Sequence, residues 1–198
     1  DGLVSIGAAA FSRLDNCTNV VNFLPDTVTK IGNYAFYKFP VRADLKVLGL
    51  PNMGTKNADG YTQQFGSSKV TSVTFGPGFK SMFSWDNGPF KGCTSLTNVT
   101  FDAAMTGGFF GGIRSDGFCG CSALAGTVDL SGFSSLAYVS DYGGGNNIFT
   151  GTKVERFIVS EQCTKLAAGF FDGDTSLKEV VFMGPPPTIE TNKNESAG

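Results

Sequence analysis

One phenylalanine recurs along the chain in the same setting, after a short run of small residues and before a Gly/Cys/Thr/Ser cluster. It stands at Phe11, Phe36, Phe65, Phe90, Phe118, Phe149 and Phe171, at spacings of 25, 29, 25, 28, 31 and 22 residues. Phe90 to Leu96 (FKGCTSL), Phe118 to Leu124 (FCGCSAL) and Phe171 to Leu177 (FDGDTSL) are versions of one string. Self-similarity at a period of roughly 20–50 residues constrains a chain strongly, because each unit carries apolar surface that only a stacked neighbour can cover.

Two apolar half-motifs carry that surface. A strand template follows the cluster: Val70-x-x-Val73-x-Phe75, Leu96-x-x-Val99-x-Phe101, Val154-x-x-Phe157-x-Val159 and Leu177-x-x-Val180-x-Phe182, with Leu45-x-x-Leu48-x-Leu50 read the same way. Its last two apolar residues share one strand face, and the residue between them points outward. The second half-motif precedes the next Phe: Leu3 to Gly7 leads to Phe11, Val28 to Gly32 to Phe36, and Cys163 to Leu166 to Phe171. Glycine at 27 residues and phenylalanine at 19, against 5 tyrosines and 1 tryptophan, fit many turns around one aromatic core.

Charge and composition exclude several functions. The net charge is −2 with no basic run, so the electrostatic footprint of a nucleic-acid binder is missing. No apolar stretch approaches the roughly 18 residues of a membrane span, so no membrane insertion is expected. Histidine is absent, which removes the commonest general base and the commonest transition-metal ligand.

Val28 to Phe36 (VTKIGNYAF), Phe90 to Phe101 (FKGCTSLTNVTF) and Leu45 to Pro51 (LKVLGLP) together resemble the BspA-like leucine-rich repeat, over roughly residues 3 to 183. The resemblance implies a mainly β leucine-rich-repeat solenoid, a right-handed superhelix with a parallel sheet on the concave face and short turns or helical caps between strands. It further implies a bacterial cell-surface or secreted protein engaged in adhesion, with an extracellular protein or glycan of a host or neighbouring cell as partner. We read residues 1–184 as the repeat domain, with about seven repeats of 22–31 residues, and 185–198 as a Pro-rich end and a polar, frayed tail. Asp1 in place of an initiator Met reads as a processed or trimmed start; no signal peptide is visible, so export rests on the resemblance. A monomer is expected.

The cysteines read as packing residues. Cys17, Cys93 and Cys121 are placed in one Cys-(Thr/Ser)-x-apolar slot, and Cys163 in the other half-motif; a free Cys behaves as a small buried hydrophobe. A Cys93–Cys121 disulfide across adjacent repeats is geometrically conceivable but not implied. Cys119-Gly120-Cys121 lacks further ligands at metal spacing, so no metal and no cofactor is expected. Asp172-Gly173-Asp174 resembles part of a calcium loop, but it overlays the repeat string and lacks a distal Glu. Gly107 to Gly112 is glycine-rich without the Lys-Ser/Thr of a phosphate loop.

Binding surface is sought where repeats lengthen. The apolar-to-Phe distance is five residues from Ile6 to Phe11, but eight from Met82 to Phe90 and ten from Val139 to Phe149. Insertions at one slot of a solenoid land on one face. They place Tyr61, Trp85, Asp86, Asn87, Arg114, Asp116, Asp141, Tyr142, Asn146 and Asn147 there as candidate binding residues, although tolerated loops need no function. The alternative face is the concave sheet, through Thr71, Thr74, Asn98, Thr100, Arg156, Lys178 and Glu179. Catalytic residues are not assigned, since nothing fixes a carboxylate pair at glycosidase spacing. The reading is a non-catalytic binding or adhesion protein, with a structural spacer presenting another module as the alternative and a carboxylate-based hydrolase as a remote third.

Overall fold

In the computed structural model, residues 2–19, 24–40, 42–49, 52–53, 62–79, 81–82, 87–102, 108–110, 116–136, 148–167 and 170–190 are described. In chain order the strands are β1 (Ser5–Ile6), β2 (Lys30–Ile31), β3 (Asp44–Val47), β4 (Asn52–Met53), β5 (Ser72–Phe75), β6 (Ser81–Met82), β7 (Asn98–Phe101), β8 (Gly108–Phe110), β9 (Ala125–Leu130), β10 (Phe133–Ser135), β11 (Lys153–Val159), β12 (Lys165–Ala167), β13 (Glu179–Phe182) and β14 (Thr188–Glu190). Every pairing is parallel, as a stack of like units requires. The chain is therefore a parallel β-solenoid.

The strand template builds the longer ladder, β3-β5-β7 and then β9-β11-β13. In β5, Val73 and Phe75 are buried while Ser72 and Thr74 face outward, and β7 alternates likewise with Val99 and Phe101. The leading apolar residue of the template plugs the same core, Val70, Leu96 and Leu124 from just before the strand and Val154 from the start of β11. The second half-motif forms strands too, in a ladder β4-β6-β8-β10 that a Leu136–Leu166 bridge extends to β12 and β14, with β1 and β2 pairing separately. The wall expected as turns or helical caps is thus a second parallel sheet, and no helix occurs among the described residues. β14 pairs with β12 after Pro185–Pro187, so the ladder resumes beyond the proline run.

The third side holds the recurrent phenylalanine. Its amide bonds across to the next repeat, Phe11 N to Ala35 O, Phe36 N to Gln64 O, Phe65 N to Pro89 O, Phe90 N to Gly117 O and Phe118 N to Ile148 O, at 2.7–3.0 Å. These bonds satisfy buried turn amides as a ladder satisfies strand amides. The rings stack in sequence from Phe11 through Phe36, Phe65, Phe90 and Phe118 to Phe149, with centroids 4.9–5.5 Å apart and planes within 17°. Phe171 departs from that column: it is half-buried and tilted by 40° on Phe157, while Phe170 one residue earlier is the fully buried ring. Exposed Leu3, Val4, Phe11, Leu14, Phe182, Met183 and Ile189 all lie at the two ends of the stack.

Three alignments differ from the sequence reading. Leu45 pairs with Val73 and Val47 with Phe75, so this strand is Leu45-x-Val47 and not the six-residue template. Cys17 N donates to Leu14 O (2.8 Å) as Leu96 N does to Cys93 O (3.0 Å), which puts Cys17 in the Leu96 slot and Leu14 in the Cys93 slot. Leu136 bridges Leu166, so Leu136 holds the half-motif slot before Phe149 that the sequence reading gives to Val139, and Val139 itself lies outside the described residues.

Two residues past each column Phe the backbone is left-handed, with φ of 54° at Arg13, 54° at Lys38, 55° at Ser67, then 73° at Gly92, 74° at Gly120, 76° at Gly151 and 76° at Gly173. A side chain in this region costs about 1–2 kcal/mol, so the early repeats hold strain that glycine relieves in the later ones. Ser67→Gly is expected to stabilise the protein by about 0.5–1 kcal/mol in urea melts, the relief exceeding the entropy of glycine. Phe90→Ala, removing a fully buried ring with neighbours above and below, is expected to cost about 3–5 kcal/mol. A Phe90→Ala protein as stable as the parent would contradict the column.

Candidate functional site

Parallel register sorts the outward side chains of the long ladder into rows. One row runs Asp44, Ser72, Asn98 across β3-β5-β7, and its counterpart runs Thr127, Arg156, Glu179 across β9-β11-β13. The next runs Lys46, Thr74, Thr100 in the first segment. All seven sheet residues singled out from sequence lie in or beside these rows. At one end Asp44 Oδ1 accepts the Ser72 hydroxyl (2.6 Å) and lies 3.0 Å from that of Thr71, and these two bonds hold its carboxyl below its usual pKa. Asn98 Nδ2 donates to Thr100 Oγ1 at 3.1 Å. At the other end Arg156 pairs with Glu179 and Lys178 with Glu155, both at 2.7 Å. Exposed pairs of this kind contribute only ~0–1 kcal/mol, so a ligand can replace one partner cheaply.

Of the ten loop candidates, Tyr61, Trp85, Asp86, Arg114, Asp141, Tyr142, Asn146 and Asn147 lie outside the described residues. Asn87 and Asp116 are described, and both pin neighbouring turns together. Asn87 Oδ1 accepts from Gln63 Nε2 (2.9 Å), and its carbonyl accepts from Gln63 N and the Thr62 hydroxyl. Asp116 Oδ2 meets Lys91 Nζ at 2.5 Å with only 13% of its side chain exposed. Gly88 makes that approach possible: a Cβ there would stand 2.1 Å from Asp116 O.

The structure also shows a patch that sequence reasoning missed. Arg13 and Lys38 lie over the Tyr37 ring at 5.8 and 5.5 Å, and Tyr34 meets Tyr37 edge-on at 5.3 Å. Arg13, Tyr34 and Lys38 all hold left-handed φ, which displays cations and rings along one turn edge. The signal was their position two residues before and one or two after the column Phe.

The thiols belong to the core. Cys93 Sγ donates to Phe65 O (3.0 Å), Cys121 Sγ to Phe90 O (3.2 Å) and Cys163 Sγ to Lys165 O (3.3 Å), and all five cysteines are free. Burial first, then Cys93, pushes the Cys121 thiol well above its usual pKa; burial and Asp116 push Cys119 up. A buried, protonated thiol such as Cys121 is a poor nucleophile and a poor metal ligand. Among the described residues no group of three or more His, Cys, Asp or Glu is arranged to hold a metal ion, and no helix is long and apolar enough to cross a membrane.

Parallel ladders closed by a stacked phenylalanine turn define a leucine-rich-repeat solenoid. The family model for the BspA type leucine rich repeat region matches residues 1–125 and 86–194 with 6 copies, and the chain belongs to that family. Neither a curated protein nor a solved structure matches it.

Thiol labelling checks the cysteine assignment. In the folded protein only half-buried Cys17 and Cys119 are expected to react, with Cys93, Cys121 and Cys163 modified only on unfolding. Rapid labelling of Cys93 would contradict the buried ladder.

Proposed function

We propose that the protein is a non-catalytic module, secreted or held at a bacterial cell surface, that binds an extracellular protein or glycan of a host or neighbouring cell. Family membership carries this reading, because BspA-type repeats are commonly found in surface proteins. The outward rows support it with closely spaced hydroxyls, an amide and exchangeable ion pairs, a combination suited to hydrogen-bonded recognition. The Arg13–Tyr34–Tyr37–Lys38 edge adds rings and cations, residue types enriched at binding hot spots. Catalysis is not part of the proposal: the chain lacks histidine, and Asp116 is committed to Lys91.

A spacer presenting another module is the second reading, favoured by one observation: the ion pairs and the Asn87 and Asp116 contacts are satisfied within the protein. A binding screen of the purified chain against extracellular proteins and glycans separates the two. Three double variants locate the face: Trp85→Ala with Tyr142→Ala, Thr74→Ala with Arg156→Ala, and Tyr37→Ala with Lys38→Ala. The binding reading predicts at least one partner whose affinity drops about tenfold or more in one pair and little in the others. Full retention by all three would move the site to another face, and no partner at all favours the spacer.

A further inference from the structure

The position three residues past the column Phe is occupied in successive turns by Ser68, Cys93, Cys121, Thr152 and Asp174. At two of these rungs the side chain donates a hydrogen bond to the Phe carbonyl of the preceding turn, Cys93 to Phe65 O and Cys121 to Phe90 O, whereas Ser68 Oγ meets Cys93 Sγ at 3.5 Å and Thr152 Oγ1 accepts Val154 N at 3.4 Å. Each of those carbonyls also accepts an amide from its own turn, Ser68 N at 3.0 Å and Cys93 N at 3.1 Å. Asp174 has the backbone signature of the slot: its amide donates to Phe171 O (3.3 Å), and Leu177 N donates to Asp174 O (3.1 Å). Yet both its carboxyl oxygens are buried and have no hydrogen-bond partner.

A carboxylate only accepts, whereas a carboxylic acid carries one O–H donor. We propose that Asp174 is a proton-operated rung, which when protonated donates to the carbonyl of the preceding turn as Cys121 does, and when ionised leaves a buried charge that loosens the last repeat. The carbonyl standing in that relation is that of Phe149, which also accepts Thr152 N at 3.0 Å. Asp172 is the charged neighbour acting on Asp174. The preceding turn contributes the uncharged Thr150 and Thr152, and Lys178 on the following side is engaged by Glu155 at 2.7 Å. Burial, with the Asp172 charge adding to it, pushes the Asp174 carboxyl up to about 7 from its ordinary 3.8. The folded state therefore retains a proton that the unfolded chain releases near 3.8, so this contribution is full below 3.8 and is lost as pH rises through about 7. The last turn of the scaffold is tight in mildly acidic surroundings and looser above neutrality.

Hydrogen exchange of the whole chain between pH 5 and 8.5, corrected for intrinsic rates, reads this directly. Protection of amides in 170–190 is expected to fall about tenfold or more as pH rises, while amides of β5 and β7 stay unchanged. Asp174→Asn, whose amide group donates at every pH, is expected to abolish the dependence, and Asp172→Asn to move its midpoint lower. A flat parent profile, or a slope that survives in Asp174→Asn, overturns the proposal. Should either variant fail to fold, the carboxyl carbon shift of Asp174 in the parent decides: a midpoint near 7 supports the rung, and one near 4 refutes it.

Discussion

Each repeat exposes an apolar face that it cannot bury alone, and the remaining structure follows from covering that face with a copy of itself. The recurrent phenylalanine is the clearest instance. Its ring lies on the ring of the preceding turn and under that of the next, while its amide bonds to the next turn, so side chain and backbone fix the same translation. Once that translation is set, equivalent residues fall in register in both sheets. A one-residue slip would turn every inward side chain outward, so the register is strongly held. Stability in such a stack is close to a sum over neighbouring turns.

The same translation organises the surface. Outward residues are addressed by row and turn, so Ser72 sits beside Asp44 and Glu179 beside Arg156 although each pair is more than twenty residues apart in sequence. It also orders the chemistry of the interior. The thiols of Cys93 and Cys121, at the slot after the phenylalanine, each find a carbonyl one turn away, and an acid in that slot has such a donor only while protonated. Left-handed backbone at Arg13, Lys38 and Ser67 shows where the early turns keep side chains that glycine would hold with less strain.

The column, the inward strand residues and the family were legible because one slot demands one residue type in repeat after repeat. The second sheet was not, since strands of two or three residues are too short to show alternation, and their apolar residues read only as patches. Leu45, Val47, Leu48 and Leu50 allow two registers, and the structure takes the one that sets Asp44 against Ser72 and Thr71. Cys17 was misplaced because a Cys-Thr string matched letters while the turn bonding follows Leu14. The roles of Asn87 and Asp116 depend on Gln63 and Lys91 in the preceding turn, which linear spacing cannot reveal, whereas the Tyr37 edge had a signal in the fixed distance of its residues from the column Phe. Eight of the loop candidates fall in segments outside the described residues.

A double-mutant cycle tests the central claim, that this protein is held by contact between adjacent turns through the phenylalanine column. Phe65→Leu and Phe90→Leu, singly and together, should show a coupling of about 0.5–1.5 kcal/mol in equilibrium unfolding, because their rings stack at 5.2 Å. Phe36→Leu and Phe118→Leu, separated by two intervening rungs, should combine additively. Additivity in the adjacent pair, or equal coupling in the distant one, would contradict a stack built turn on turn.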